Sequence, residues 1–324
     1  MKKKLIVIAV ALLCCIGVAV AMWQTGSLKT RTWQETTQLA VDQTTQYAIA
    51  EIQNTENAAG DKASCWGVMA LCRSGAALPE GFLTDYLAEV EQLLNDCDGD
   101  LIGESSKFNT EYCRMTLMLT AAGYDASNFA GYDLTAPLMD FEETTRQGLN
   151  GAAYALLALD AGAYECPIRQ DYVDYLLSLQ LADGGWALGN FEVADSDVTA
   201  IVLQALSKYL DQPEVSAAVE SGVTCLSQMQ LDNGSFVAMG GECPESCAQV
   251  ILAMCELGID LEDERFVKNG NTVLDAMLRY QNKDGSFNHA ADQAPMPVSA
   301  YQSLMALSSL QRCDRGVNPF YTMP

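Results

Sequence analysis

The sequence predicts an all-α chain, folded as an outer ring of six helices around an inner ring of six, in six helical hairpins. Three observations predict it. A short motif recurs at even spacing, two kinds of helical stretch alternate between its copies, and no segment alternates convincingly like a strand. The motif is Gln180-Leu-Ala-Asp-Gly-Gly-Trp186, then Gln230-Leu-Asp-Asn-Gly-Ser-Phe236, then Gln281-Asn-Lys-Asp-Gly-Ser-Phe287, at spacings of 50 and 51 residues. Asn95-Asp-Cys-Asp-Gly-Asp-Leu101 reads as a degenerate copy. Asp-Gly and Asn-Gly supply a turn with positive φ, and the aromatic is placed to pack between repeats.

The elements follow in order. Long amphipathic stretches, which face solvent on one side, run over Glu80–Asp96, Ile168–Leu181, Pro213–Leu231 and Asp263–Asn282. Stretches apolar all round, and so buried on both sides, run over Lys62–Ser74, Thr110–Ala122, Asn150–Ala161, Asp197–Tyr209, Glu245–Leu257 and Val298–Leu310. A first helix over Thr30–Asn54 and a weaker one over Asn128–Phe141 complete twelve. Six inner helices inside six outer ones form an α/α toroid, and repeats of about 50 residues fill the chain.

Composition bounds the chemistry. The 324 residues are 49% hydrophobic, enough for a sizeable core. Eighteen basic residues against 42 acidic ones give a net charge of −24, which disfavours nucleic acid and anionic lipid headgroups. The single histidine, His289, falls in an expected loop; it excludes a multi-histidine zinc site and leaves Ser-His-Asp or Cys-His chemistry only if His289 serves it. At the N-terminus, Lys2, Lys3 and Lys4 precede apolar Leu5–Val20, and Ala19-Val20-Ala21 fits a cleavage site. Residues 1–21 therefore read as a cleaved signal peptide or a retained signal anchor, 22–29 as a linker and 30–324 as the toroid. Either way the toroid is extracytoplasmic, secreted or held at the membrane by that segment. Of twelve cysteines, Cys14 and Cys15 lie in the signal segment and most of the rest in apolar helical stretches, where free cysteines act as small buried hydrophobes. Cys243 and Cys247 are spaced to bridge or to hold a metal, but no regular second pair accompanies them.

The repeats resemble those of the terpenoid cyclase/protein prenyltransferase toroid superfamily. They are most similar to exported, prenyltransferase-like surface proteins of Gram-positive bacteria. Residues 109–114, 147–151, 181–188, 195–200, 245–249, 265–271 and 318–321 carry that closer likeness. The resemblance implies the toroid and little chemistry. Class II cyclases protonate an alkene with the middle acid of Asp-x-Asp-Asp. Asp195-Ser-Asp197-Val198 resembles that motif with its last aspartate replaced, which puts Asp197 in the donor's place and Asp195 beside it. The competing reading is a helix N-cap. Protein prenyltransferase β subunits hold zinc with Asp, Cys and His, and no histidine here is expected in the ring. No metal or cofactor is expected. The complement thioester string Gly-Cys-Gly-Glu-Gln is absent, as is the β domain that accompanies cobalamin-binding toroids.

Aligning the six apolar helices places polar and aromatic residues on their first turns, at one end of the bore. The expected ligand-binding set is Trp66, Glu111, Tyr112, Arg114, Gln147, Asn150, Tyr154, Asp197, Glu245, Gln249, Tyr301 and Gln302. Helix N-termini there, with Arg114 as counter-charge, favour an anionic group. The expected function is a non-catalytic, exported or membrane-tethered toroid binding an amphipathic small molecule or peptide. The alternatives are a cyclase-like enzyme with Asp197 as general acid, and a structural or adhesive surface module.

Overall fold

The computed structural model describes residues 32–103, 107–189, 191–238 and 241–323, so the expected signal segment and linker lie outside the described residues. The chain divides into two units, Met1–Thr36 and Thr37–Pro324. Of the first, only its end is described. There a capping box opens the first helix: Glu35 N–H donates to Thr32 Oγ1 at 3.2 Å, and Thr32 N–H donates to Glu35 Oε2 at 3.1 Å.

Among the described residues there are twelve α-helices. They are α1 (Trp33–Asn54), α2 (Lys62–Ser74), α3 (Phe82–Asp96), α4 (Thr110–Ala121), α5 (Phe141–Thr145) and α6 (Leu149–Ala161). They continue with α7 (Arg169–Ser178), α8 (Ser196–Leu206), α9 (Pro213–Met229), α10 (Pro244–Glu256), α11 (Val273–Leu278) and α12 (Pro297–Asp314). The even-numbered helices pack in a closed cycle, each against the next, with α12 returning to α2. Their composition explains the placement. Every residue of α10 from Pro244 to Cys255 is buried, whereas α3 buries only the stripe Phe82, Tyr86, Leu87, Val90 and Leu94. No helix among the described residues is long and apolar enough to cross a membrane.

The repeat motif locks neighbouring repeats together. In each copy Gly takes positive φ (89° at Gly184, 86° at Gly234, 88° at Gly285), and the aromatic, Trp186, Phe236 or Phe287, is fully buried. The leading glutamine crosses to the next repeat: Gln180 Nε2 donates to Ala218 O at 2.8 Å and Gln230 Nε2 to Phe266 O at 2.9 Å. Gln281 Nε2 donates to Thr44 Oγ1 of α1 at 3.0 Å, so the third copy closes the ring. At the C-terminus, buried Arg73 donates to the carbonyls of Phe320, Pro319 and Thr322 at 2.8, 2.8 and 3.0 Å.

Four expectations are corrected. Asp263–Asn282 is not one helix. A 3-10 turn (Glu264–Phe266) is followed by a reversal at Asn269 and Gly270, both with positive φ, and only Val273–Leu278 is α-helical. Asn128–Phe141 breaks the same way at Ala130 and Gly131, leaving two 3-10 turns, Ala126–Asn128 and Ala136–Met139, before α5. A short antiparallel pair, β1 (Val237–Ala238) and β2 (Gly241–Glu242), stands where no strand was expected. The degenerate copy at Asn95–Leu101 is a helix terminus: Gly99 N–H returns to Leu94 O at 2.8 Å, without the Leu181-to-Gly185 type of bond seen in the complete copies.

Candidate functional site

Three consecutive motif loops, each leading from a buried aromatic to the start of the next inner helix, build one cavity of about 530 Å³. From the first loop come Ala187, Leu188, Phe191, Val193 and Ala194, followed by Asp195, Asp197, Val198 and Ile201 at the start of α8. The second repeat adds Cys243 and Glu245 at the start of α10. The third contributes His289, two residues beyond the anchored Phe287, with Met296, Val298 and Gln302 at the start of α12. Asn150 of α6 completes the wall. The wall is mainly apolar with a few polar groups converging at one corner, as ligand cavities are. Phe191 and Val193 stand 68% and 74% exposed on the rim. A second hollow of about 670 Å³ shares Asn150, Ala187, Leu188 and Phe191 with the first.

The polar corner is acidic. Asp195 is the N-cap of α8, accepting the backbone N–H of Asp197 at 2.9 Å and of Val198 at 3.0 Å. Asp197 is thus left to face the cavity. Burial, first of all, raises its pKa from 3.8 to about 6, against hydrogen bonds from Ser246 and Ser196 that lower it. Glu245 is buried on the first turn of α10; its Oε1 accepts from the Ser299 hydroxyl and lies 3.0 Å from His289 Nδ1. Its Oε2 is buried and has no hydrogen-bond partner. Cys243, the N-cap residue of α10, is buried with Sγ 3.2 Å from Ser246 Oγ, and burial pushes its thiol to about 11. One ligand atom from each of Cys243, Glu245 and His289 lies within 4.8 Å of the others. The single histidine, expected in a loop, thus lies beside a buried cysteine and a buried glutamate.

Of the expected ligand-binding set, Asn150, Asp197, Glu245 and Gln302 line the cavity, as does Asp195. Gln147 lines the neighbouring hollow and accepts from Thr110 Oγ1 at 2.6 Å. The others lie off the wall. Trp66 and Tyr154 pack against each other, with ring centroids 5.6 Å apart and planes tilted by 45°. Gln249 joins a chain across the inner helices, accepting from Gln204 and donating to Gln302 Oε1, both at 3.1 Å. Tyr301 is fully buried, its ring packed where Gly67 leaves room. Tyr112 Oη accepts from Leu101 N–H at 3.1 Å. Arg114 is buried in an ion pair with Glu111, to which Lys62 also binds at 2.5 Å. The expected counter-charge for an anionic ligand is therefore engaged elsewhere. From the sequence, Cys243 reads with Cys247 as able to bridge or hold a metal, and His289 as a loop residue on which any Ser-His-Asp or Cys-His chemistry would depend; neither belongs to the expected ligand-binding set. The signal that could have found them is position, since His289 follows the motif aromatic Phe287 by two residues and Cys243 lies between the motif aromatic Phe236 and the next inner helix.

No protein-family profile matches the sequence, and no curated protein matches it. Solved structures do. Candida albicans protein geranylgeranyltransferase-I, complexed with GGPP, superposes with a TM-score of 0.61 at 12% identity, covering 87% of this chain and 95% of that one. The type II terpene cyclase MstE from Scytonema gives 0.57 at 14%, covering 85% and 99%. Unsaturated glucuronyl hydrolase from Bacillus sp. GL1 gives 0.59 at 12%, covering 89% and 99%. The fold is the α/α toroid. At such identities the likeness is one of fold.

Proposed function

We propose that this toroid is an extracytoplasmic binding protein whose cavity takes an amphipathic small molecule or the apolar end of a peptide. The observation that carries the reading is the cavity of about 530 Å³ built by three repeat loops, with a mostly apolar wall and a polar corner at Asp197, Glu245, His289 and Gln302. Its size falls within the usual range for ligand sites. Asp195, Asp197 and Glu245 face it while Arg114 is paired with Glu111, so a hydrogen-bond-donating or cationic end fits better than an anionic one. The N-terminal sequence supports placement outside the cytoplasm, in secreted or membrane-tethered form.

The cyclase-like alternative draws support from Asp197, an acid partly protonated near neutral pH beside an apolar cavity. The direction of its shift argues against it. Protonating an alkene needs an unusually strong acid, and burial has made this one weaker than an ordinary aspartic acid.

A thermal-shift series tests the binding reading with three probes sharing one alkyl chain: dodecylamine, dodecanol and dodecanoate. In chelator, with the acidic corner free of metal, the amine and alcohol should raise the melting temperature more than the carboxylate. Val298→Trp, which fills the cavity, should remove the effect. Equal stabilisation of that variant, or none by any probe, would overturn the proposal.

A further inference from the structure

We propose that Cys243, Glu245 and His289 form a binding site for a divalent transition-metal ion, zinc being the ion whose chemistry fits best, with an open coordination position toward the cavity. This goes beyond the ligand-binding reading and does not depend on an organic occupant.

Geometry and donor chemistry carry it. Residues from two repeats converge. Cys243 and Glu245 flank Pro244 at the start of α10, and His289 arrives on the loop that follows the buried anchor Phe287. Their donor atoms lie within 4.8 Å of one another. A tetrahedral ion with bonds of about 2.0–2.3 Å holds its ligands roughly 3.3–3.8 Å apart, so the widest pair has to close by at most about 1–1.5 Å. The His289 side chain, 42% exposed, has room to make that adjustment.

The donor set is selective. Sulfur, imidazole nitrogen and carboxylate oxygen suit zinc, whereas calcium and magnesium take oxygen ligands. Glu245 Oε2 is a buried carboxylate oxygen with no hydrogen-bond partner, which is costly unless something accepts its lone pairs. The contact of His289 with Glu245 occupies Oε1 and leaves Oε2 without a partner. Supporting groups are also in place. The Ser299 hydroxyl donates to Glu245 Oε1, and Ser246 Oγ sits 3.2 Å from Cys243 Sγ, the kind of outer contacts that orient ligands. All three residues line the cavity, so three protein ligands leave the fourth tetrahedral position on its side, the arrangement of an ion with an exchangeable ligand.

The test uses the whole chain, stripped with chelator and then titrated with Zn²⁺ by calorimetry and with Co²⁺ by absorbance. The expected result is one ion per chain. Co²⁺ should give the visible bands of a tetrahedral site and a near-ultraviolet thiolate charge-transfer band. Cys243→Ser should abolish the charge-transfer band. His289→Ala, on an exposed loop, should weaken Zn²⁺ at least about ten-fold while keeping that band, and Glu245→Gln should weaken it similarly. Cys247→Ser, one helical turn away, should bind as the parent does. Circular dichroism and melting in chelator confirm that each variant is folded. Absence of stoichiometric binding overturns the proposal. So does binding that Cys243→Ser and His289→Ala leave unchanged, or a cobalt complex without the thiolate band.

Discussion

Substituting Gly285 by Ala tests how the ring closes. Gly285 sits at φ 88° in the third motif copy, and an added Cβ would lie 2.2 Å from Gln43 O, 2.4 Å from Gln43 C and 2.8 Å from Thr44 N. All three are backbone atoms of α1, which cannot turn aside as a side chain would. To reach an ordinary contact α1 must retreat by about 1 Å, and Gln281 then loses its bonds to Thr44 Oγ1 and Ala40 O. The control is Gly270→Ala, at φ 81° with nothing within 4 Å of the new Cβ. Both variants pay left-handed strain of about 1–2 kcal/mol. Gly285→Ala adds overpacking of about 1–3 kcal/mol and two hydrogen bonds of about 1 kcal/mol each. Urea unfolding should therefore show a loss of about 1–2 kcal/mol for Gly270→Ala and about 4–7 kcal/mol for Gly285→Ala. Hydrogen exchange in α1 should rise only in the latter. Equal losses in the two variants would refute the view that close approach, beyond the turn itself, makes this motif glycine necessary.

Three further outcomes follow from single groups. Asp197 has its pKa raised to about 6, so its contribution to stability is fully present below about 3.8 and lost as pH rises through 6; in chelator, Asp197→Asn should be more stable than the parent by up to about 3 kcal/mol near pH 8, with the gap closing near pH 4, and the opposite sign in urea melts would sink the burial account. Arg73→Met keeps bulk but strands three carbonyls of the C-terminal segment, which should cost about 2–4 kcal/mol and expose that segment to carboxypeptidase; resistance equal to the parent's would contradict this clasp. Cys313 is exposed and its thiol pKa is lowered, chiefly by a hydrogen bond from Cys255, so peptide mapping should find it alkylated first in the native protein, well ahead of buried Cys65, Cys113 and Cys247.

The inner ring was legible because burial on all sides leaves an unmistakable composition. Lys62–Ser74 matches α2 at both ends, and the other five inner helices match to within a few residues. The outer ring was less so. A helix facing solvent on one side tolerates interruption, and the reversals at Asn269-Gly270 and Ala130-Gly131 are compatible with apolar spacing that still reads as continuous. The Asp195 question shows what geometry adds. A cap and a catalytic acid are the same residue type at the same helix start, and only the bonds to Asp197 N–H and Val198 N–H tell them apart.

The candidate site exposes a different limit. Aligning helix starts around a ring treats all six as equivalent, so it proposed a mouth to which every inner helix contributes. In the structure the wall comes mainly from three, α8, α10 and α12, because these follow the complete motif copies. Trp66, Arg114 and Tyr154 come from α2, α4 and α6, where no complete copy precedes the helix, and they lie off the cavity wall. The motif read as structural is therefore also what shapes the site. Its buried aromatic fixes one end of a loop, the next inner helix fixes the other, and whatever the loop carries between them is held at the cavity. By that logic a substitution that frees Phe287 should loosen His289 as well. Phe287→Ala should weaken Co²⁺ binding more than it alters the thiolate band, since Cys243 is held separately by α10. If cobalt affinity instead follows the parent's in a folded Phe287→Ala protein, the anchored loop is not what positions the histidine.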